Sequence, residues 1–116
     1  MSPRKRLLAT AAFAACALPL TVAAPASAAT CGGLPKYPGQ GYFTSLKATG
    51  ISCSGAKDVM KGHYKCRTKN GIKGKCKRFS GWSCTEKRQA ISTEYNARVT
   101  CKKGSRTVVY TYNQDT

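Results

Sequence analysis

Cysteine is the residue type whose number and spacing most clearly indicate chemistry in this chain. Of seven cysteines, Cys16 lies in an apolar N-terminal segment, and the remaining six are Cys31, Cys53, Cys66, Cys76, Cys84 and Cys101. The six show no C-x-x-C pair, which structural zinc sites usually contain. If a chain this short is exported, an even number of cysteines predicts disulfides rather than zinc ligands or reactive thiols. We therefore expect neither a metal nor a cofactor.

Helix geometry limits how these cysteines can pair. Cys53 and Cys66 lie 13 positions apart on one predicted helix, a separation of roughly 20 Å at a rise of 1.5 Å per residue. A disulfide requires Cα atoms about 4.4–6.8 Å apart, so this pair is excluded. We favour a Cys66–Cys76 bond that closes the base of a basic loop. Cys53 is expected to reach the sheet through Cys84 or Cys101.

The one histidine, His63, is the candidate for acid–base catalysis. With Glu86 or Glu94 and nearby cations it could cleave RNA, which requires a base, an acid and positive charge at the phosphate. However, its spacing places it on the same helical stripe as Val59 and Met60, which predicts a buried histidine. The chain also lacks a G-x-S-x-G elbow and a phosphate-loop motif. We assign no catalytic residue and keep a ribonuclease-like enzyme as the weakest hypothesis.

The positive charge of the chain is large and one-sided. The chain has 20 lysines and arginines and four acidic residues. Three of the 20 lie before residue 29, so the chain from residue 29 onward has 17 basic residues and a formal charge of +13. The densest cluster comprises Lys57, Lys61, Lys65, Arg67, Lys69, Lys73, Lys75, Lys77 and Arg78. Trp82 follows closely, and aromatic rings among cations suit stacking on bases or sugars.

This cluster predicts a polyanion-binding surface that includes Trp82. The expected partner is an extracellular or cell-envelope polyanion: teichoic acid, nucleic acid or an acidic polysaccharide. A lysine stripe can also be simply the solvated side of a helix. The rival functional class is a secreted inhibitor or toxin that acts on a protein.

The N-terminus has the three zones of a secretory signal. They are the basic residues Arg4, Lys5 and Arg6, an apolar segment over residues 7–22, and the small-residue cleavage site Ala26-Ser27-Ala28. Pro19 interrupts the apolar segment and Pro25 follows it, and both disfavour a retained membrane anchor. Cys16 fits a lipoprotein signal poorly. We predict that residues 1–28 are removed and that the protein is secreted, without a transmembrane segment in the mature chain.

Residue patterns predict the elements that position the basic cluster. Residues 29–41, rich in Gly and Pro, form an irregular arm. The apolar spacing predicts a helix over residues 53–69. Alternating residues predict strands over 42–48, 79–86, 94–101 and 106–112. The sequence thus favours one α+β domain over residues 42–116, with a helix on a small antiparallel sheet (β-α-β-β-β) that disulfides staple together. We expect a monomer.

Three short motifs occur in order along this domain. Ser52-Cys53 with Ala56 opens the helix, Gly81-Trp82-x-Cys84 follows, and Cys101-Lys102-x-Gly104 precedes a Val-rich strand. In these motifs the chain resembles small secreted actinobacterial proteins that carry S-C-x-x-A, G-aromatic-x-C and C-[KR]-x-G. The resemblance covers about residues 51–112 and implies no catalytic or binding residue. The Cys66 and Cys76 pair and the arm with Cys31 depart from it.

Overall fold

The structure is a computed structural model that describes residues 27–116. The elements are β1 (Ala29–Thr30), β2 (Gly41–Thr49), α1 (Cys53–Thr68), β3 (Arg78–Phe79), β4 (Trp82–Ala90), β5 (Glu94–Lys103) and β6 (Arg106–Asp115). The strands form one antiparallel sheet in the order β1-β2-β6-β5-β4-β3. Apart from Ser27 and Ala28, the predicted secretory signal lies outside the described residues, as does Cys16. Between residues 27 and 116, no helix is long and apolar enough to cross a membrane.

The predicted α+β class is confirmed: one helix packs on an antiparallel sheet with three disulfides. The strand count was wrong, because the sheet has six strands and the sequence predicted four. The two additional strands, β1 and β3, have two residues each, and the strand predicted over residues 79–86 crosses the turn that separates β3 from β4. A two-residue strand is too short to show an alternating pattern. The arm at residues 29–41 therefore begins in the sheet, and Gly41 already belongs to β2.

Helix α1 begins at an N-cap and presents one apolar stripe to the sheet. The Ser52 hydroxyl accepts a hydrogen bond from the Gly55 amide at 3.1 Å, which satisfies one of the unpaired donors of the first turn. The buried stripe consists of Ala56, Val59, Met60, His63 and Arg67. The helix ends at Thr68, one residue before the predicted end.

Each long strand alternates between a face that packs against the helix and a face that is open to solvent. On β5 the residues at 95, 97, 99 and 101 are buried, whereas the residues at 96 and 98 are exposed. The inner face carries a cluster of aromatic rings, in which Tyr37 of the arm lies 4.9 Å from Phe43 and 5.1 Å from Tyr64 between ring centroids. The arm therefore contributes a side chain, Tyr37, to the hydrophobic core.

The disulfides are Cys31–Cys53, Cys66–Cys76 and Cys84–Cys101. The Cys66–Cys76 pairing is confirmed, but the prediction that Cys53 reaches the sheet through Cys84 or Cys101 was wrong. Cys84 and Cys101 face each other on neighbouring strands β4 and β5, so they pair together. The Cys31 amide of the arm donates to the Leu46 carbonyl of β2 at 2.9 Å. Cys31 then forms its disulfide with Cys53 at the start of the helix.

Arg67 is buried at the centre of the domain, with 1% of its surface exposed. Its guanidinium donates to the Ile72 carbonyl at 2.9 Å and to the Tyr37 hydroxyl. It also lies 4.2 Å from the ring centroid of Tyr112, a cation–π contact. Tyr112 in turn donates to the Glu86 carboxylate at 2.7 Å. One charged side chain thus connects the helix, the arm, the sheet and the loop after the helix.

The tyrosines around Arg67 stay protonated and can donate hydrogen bonds. Burial raises the pKa of Tyr37 to about 12. Burial also raises the pKa values of Tyr110 and Tyr112 well above the ordinary tyrosine value. These hydroxyls are therefore neutral at physiological pH.

Arg67→Lys is predicted to destabilise the protein although it keeps the charge. An ammonium group cannot reproduce the planar fork, and buried acceptors lose their donors, so the free energy of unfolding should fall by about 2–4 kcal/mol. Denaturant titration would measure this change. The matched control is Lys65→Arg on the exposed side of the same helix, which should change the stability by less than about 0.5 kcal/mol. Equal effects of both variants would contradict a central role for Arg67.

Candidate polyanion surface

The exposed side of α1 carries a row of lysines, here called the helix ridge, formed by Lys57, Lys61, Lys65 and Lys69. Residues four apart lie on the same side of a helix. Because the buried stripe faces the sheet, this side faces solvent. Lys61, Lys65 and Lys69 are exposed and Lys57 is half-buried.

The segment after the helix, residues 72–78, is here called the basic loop. It carries Lys73, Lys75, Lys77 and Arg78, all exposed. The Cys66–Cys76 disulfide, with Cα atoms 5.6 Å apart, holds this loop against the last turns of α1. The helix ridge and the basic loop are therefore neighbours in space as well as in sequence.

Two arginines hold the start of the basic loop from beneath. Arg88 of β4 donates to the carbonyl oxygens of Lys73 at 2.8 Å and Gly74 at 2.6 Å. Arg67 holds the Ile72 carbonyl as described. The fit is close, because a Cβ added to Gly74 would overlap the carbonyl oxygen of Arg67. The carbonyl groups of Ile72, Lys73 and Gly74 are thus held in place, and the side chains of the loop cations project from this ordered backbone.

The second half of the loop is held by the helix and the sheet. His63 Nε2 donates to the Cys76 carbonyl at 3.2 Å. The Cys84 amide of β4 donates to the Lys77 carbonyl at 2.8 Å. Residues 78–79 then join the sheet as β3. The second half of the loop is therefore held at Cys76, at Lys77 and at residues 78–79.

An open concavity of about 420 Å³ lies between the basic loop and β4. It is lined by Lys75, Cys76, Lys77, Arg78, Ser83, Cys84, Thr85 and Glu86. Three cations and two hydroxyls thus surround it. Its acid, Glu86, is 6% exposed and is held by Arg88 and Tyr112. This lining can bind an anion through charge and hydrogen bonds together.

Two residues predicted for the polyanion surface do not lie on it. Arg67 falls on the buried stripe of the helix, where its guanidinium binds tyrosines and a backbone carbonyl. Trp82 is 6% exposed and packs in the core, so it cannot stack on a base or sugar in solvent. Both predictions were wrong, because closeness in sequence to exposed lysines does not reveal which face a side chain takes.

His63 is 1% exposed and both of its ring nitrogens have partners. Nε2 carries the proton donated to Cys76, so Nδ1 accepts from the Tyr110 hydroxyl. Burial lowers the pKa of His63, which favours this neutral form. A side chain enclosed in this way does not reach a phosphate group in solvent. The arrangement gives the ribonuclease hypothesis no support.

One group of potential metal ligands lies in the core, namely His63 with Cys84 and Cys101, whose ligand atoms lie within 4.8 Å of one another. The two cysteines form a disulfide and offer no thiolate. The histidine nitrogens are already hydrogen-bonded. The cluster is explained as core packing against a disulfide.

The sequence did not predict the role of Arg88 and its partner Glu86 in positioning the basic loop, although Glu86 was considered as an acid beside His63. The signal was present in the alternation of β4, where residues 82, 84, 86 and 88 share a face. Because Trp82 and Cys84 mark that face as the inner one, a glutamate and an arginine on it predict a buried ion pair. The structure contains an ion pair between Arg88 and Glu86, in which the Glu86 side chain is 6% exposed and the Arg88 side chain is 17% exposed.

Comparison of the chain with known proteins finds no matching family model, no matching curated protein and no matching solved structure. The assignment of function therefore rests on the geometry of this chain alone.

Acidification is predicted to destabilise the domain through His63. The folded-state pKa lies below the unfolded value of about 6.5, so the unfolded chain binds a proton more readily. The free energy of unfolding should be highest above about pH 6.5 and fall as the pH drops through the unfolded pKa toward the folded one. Denaturant titrations at several pH values would show the fall.

The matching variant is His63→Gln, which should lose stability modestly at neutral pH and lose most of this pH dependence. Its affinity for polyanions should fall by no more than a few-fold at neutral pH, because buried His63 cannot contact the ligand and acts only through the Cys76 carbonyl of the basic loop. If the parent protein cleaves RNA and folded His63→Gln does not, the enzymatic hypothesis replaces the binding one.

Proposed function

We propose that the protein is a secreted, non-enzymatic binding module for an extracellular or cell-envelope polyanion. Teichoic acid, nucleic acid and acidic polysaccharides are the candidate ligands. The binding surface consists of the helix ridge, the basic loop and the concavity between that loop and β4. Its cations are Lys57, Lys61, Lys65, Lys69, Lys73, Lys75, Lys77 and Arg78.

The observation that carries this proposal is the support of the basic loop by buried and half-buried side chains. Arg88, Arg67 and His63 each bind a carbonyl oxygen of the loop. A loop that is already ordered loses less conformational entropy when it binds a ligand. Two of these side chains, Arg67 and His63, are buried, and Arg88 is half-buried, so the loop backbone is fixed on the side away from solvent.

Charge and disulfides support the same proposal. A formal charge of +13 after residue 28 attracts polyanions and speeds their association. Three disulfides suit an oxidising, extracellular compartment. The secretory signal in the sequence agrees with that compartment.

The rival hypothesis is a secreted inhibitor or toxin with a protein target. Ionic strength separates the two classes, since contacts to a charged polymer weaken steeply with salt and a packed protein interface does not. A pull-down from culture medium and cell envelope, washed at two salt concentrations, would therefore distinguish them.

Binding to a defined oligonucleotide and to purified teichoic acid is predicted to weaken linearly on logarithmic axes as salt rises. For the oligonucleotide, Lys61→Gln/Lys65→Gln and Lys75→Gln/Lys77→Gln should each reduce the slope by up to about two units, since each phosphate contact contributes roughly 0.7–0.9. Fluorescence anisotropy over a salt series would measure both.

The control for both double variants is Lys47→Gln/Lys102→Gln, which removes two exposed lysines from the opposite face of the sheet. It should leave the slope nearly unchanged. Equal losses in all three variants would mean that net charge alone attracts the ligand. Absence of binding at physiological salt would favour the protein-directed hypothesis.

Arg88→Lys tests whether the order of the loop matters. The charge is kept, but a lysine cannot bind the Lys73 and Gly74 carbonyls and Glu86 together. We expect the affinity for the oligonucleotide to fall roughly 3–10-fold, with an unchanged salt slope, because ordering the loop would then oppose binding. Hydrogen exchange of the loop amides should accelerate. If the loop amides of Arg88→Lys exchange faster but its affinity is unchanged, the order of the loop does not contribute to binding.

A further inference from the structure

The face of the sheet that points away from α1, here called the outer face, is open to solvent and polar. It bears a groove of about 420 Å³, distinct from the concavity beside the basic loop. The side chains of the outer face that line this groove are Thr44, Lys87, Gln89, Asn96, Arg98 and Thr111. They come from four neighbouring strands, β2, β6, β5 and β4. Two cations, two amides and two hydroxyls therefore surround one depression.

The two cations of the groove lie directly opposite each other. Lys87 of β4 is the register partner of Arg98 of β5, and both are exposed. Like charges in directly opposed positions destabilise a sheet. Across the sheet, the register partner of Arg98 on β6 is Thr111, and that of Thr111 on β2 is Ser45. This row of paired residues therefore contains no carboxylate that could offset the repulsion.

The nearest acids along the strands are already engaged elsewhere. Glu86 lies on the inner face with Arg88. Glu94 precedes Arg98 by four residues on β5, about 13 Å along a strand, and accepts from the Asn113 amide at 2.8 Å. An anion that binds between Lys87 and Arg98 would therefore meet uncompensated positive charge.

The neutral groups favour a ligand that also carries hydroxyls. The hydroxyls of Thr44 and Thr111 lie 2.6 Å apart at the edge of the groove. Asn113, 5% exposed, stands beside the groove residue Asn96, to which its amide donates at 2.9 Å. Its Oδ1 has no hydrogen-bond partner among residues 27–116. This oxygen is an acceptor without a donor, a role that a sugar hydroxyl can fill and a phosphate oxygen cannot.

We propose that the groove of the outer face binds an acidic polysaccharide whose sugars carry carboxylates. Lys87 and Arg98 bind a carboxylate, while Thr44, Thr111, Gln89 and Asn96 bind the hydroxyls of the same and neighbouring sugars. A second copy of this chain is a poor occupant, because the face also carries Lys47 and Lys102 and would repel itself.

This site is separate from the proposed polyanion surface. The helix ridge lies on the helix side of the sheet, and the groove lies on the other side. A short oligosaccharide cannot reach both, so either site can exist without the other.

The test uses a galacturonic acid oligosaccharide of defined length, titrated calorimetrically at physiological salt. Lys87→Gln/Arg98→Gln should weaken binding to the groove by at least about tenfold, since each charge-assisted hydrogen bond is strong. The matched control, Lys102→Gln/Arg106→Gln, also removes one lysine and one arginine but lies at the far end of the strands. It should change the affinity by less than about twofold. Equal losses in the two variants, or no binding by the parent protein, would overturn the proposal.

A neutral variant separates sugar recognition from charge. Gln89→Met keeps the side-chain length and removes the amide, so the oligogalacturonate affinity should fall several-fold while the affinity for linear polyphosphate stays constant. Circular dichroism would verify that each variant is folded. If Lys87→Gln/Arg98→Gln weakens polyphosphate binding as much as oligogalacturonate binding, the groove is a general anion site and the proposal fails. Binding that depends on Lys87 and Arg98 only with phosphatidylglycerol vesicles would also overturn it, in favour of a membrane surface.

Discussion

The enclosure of one guanidinium group is the interaction on which the rest of this structure depends. Arg67 reaches from the helix to the arm, the sheet and the basic loop, and each of these parts supplies a partner: Tyr37, Tyr112 and Ile72. A buried charge without partners would be very unfavourable, so these groups must assemble together. In so small a domain, where the apolar core is limited, such a shared centre couples segments that the disulfides join only in pairs.

The same requirement explains how a highly positive protein displays its charge in an ordered way. Repulsion among exposed lysines opposes a compact loop after the helix. The carbonyl groups of that loop, however, are the acceptors that Arg67 and Arg88 need inside the protein. Hydrogen bonds to buried Arg67 and half-buried Arg88 therefore order the loop backbone while its lysines stay in solvent. The arginines inside the protein therefore fix the backbone of the loop that carries the exposed lysines.

The two sides of the domain offer different chemistry to anions. The helix side presents cations in a row and around a concavity, which suits a polymer recognised mainly by its charge. The outer face places Lys87 and Arg98 among hydroxyls and amides, which suits a ligand with both charge and hydrogen-bonding groups. This difference follows from the elements: a helix places like residues four apart on one side, whereas a sheet brings side chains from several strands into one row.

The sequence by itself determined what local pattern can encode. The periodicity of residues 53–69 predicted the helix to within one residue at its end, and alternation predicted β2, β5 and β6 to within three residues at their ends. The strand predicted over residues 79–86 was wrong in its bounds, because it crosses the turn between β3 and β4. Loop spacing predicted the Cys66–Cys76 bond. Only the tertiary structure decided the partner of Cys53, the burial of Arg67 and Trp82, and the meeting of Lys87 with Arg98. Each of these depends on which strands become neighbours and on the side from which the arm returns, and that is a property of the whole packed chain. A charged residue on an otherwise apolar stripe is the clearest case, because its position predicts burial while its charge predicts exposure. Two of the partners that allow Arg67 to be buried, Tyr37 and Tyr112, come from distant segments of the chain.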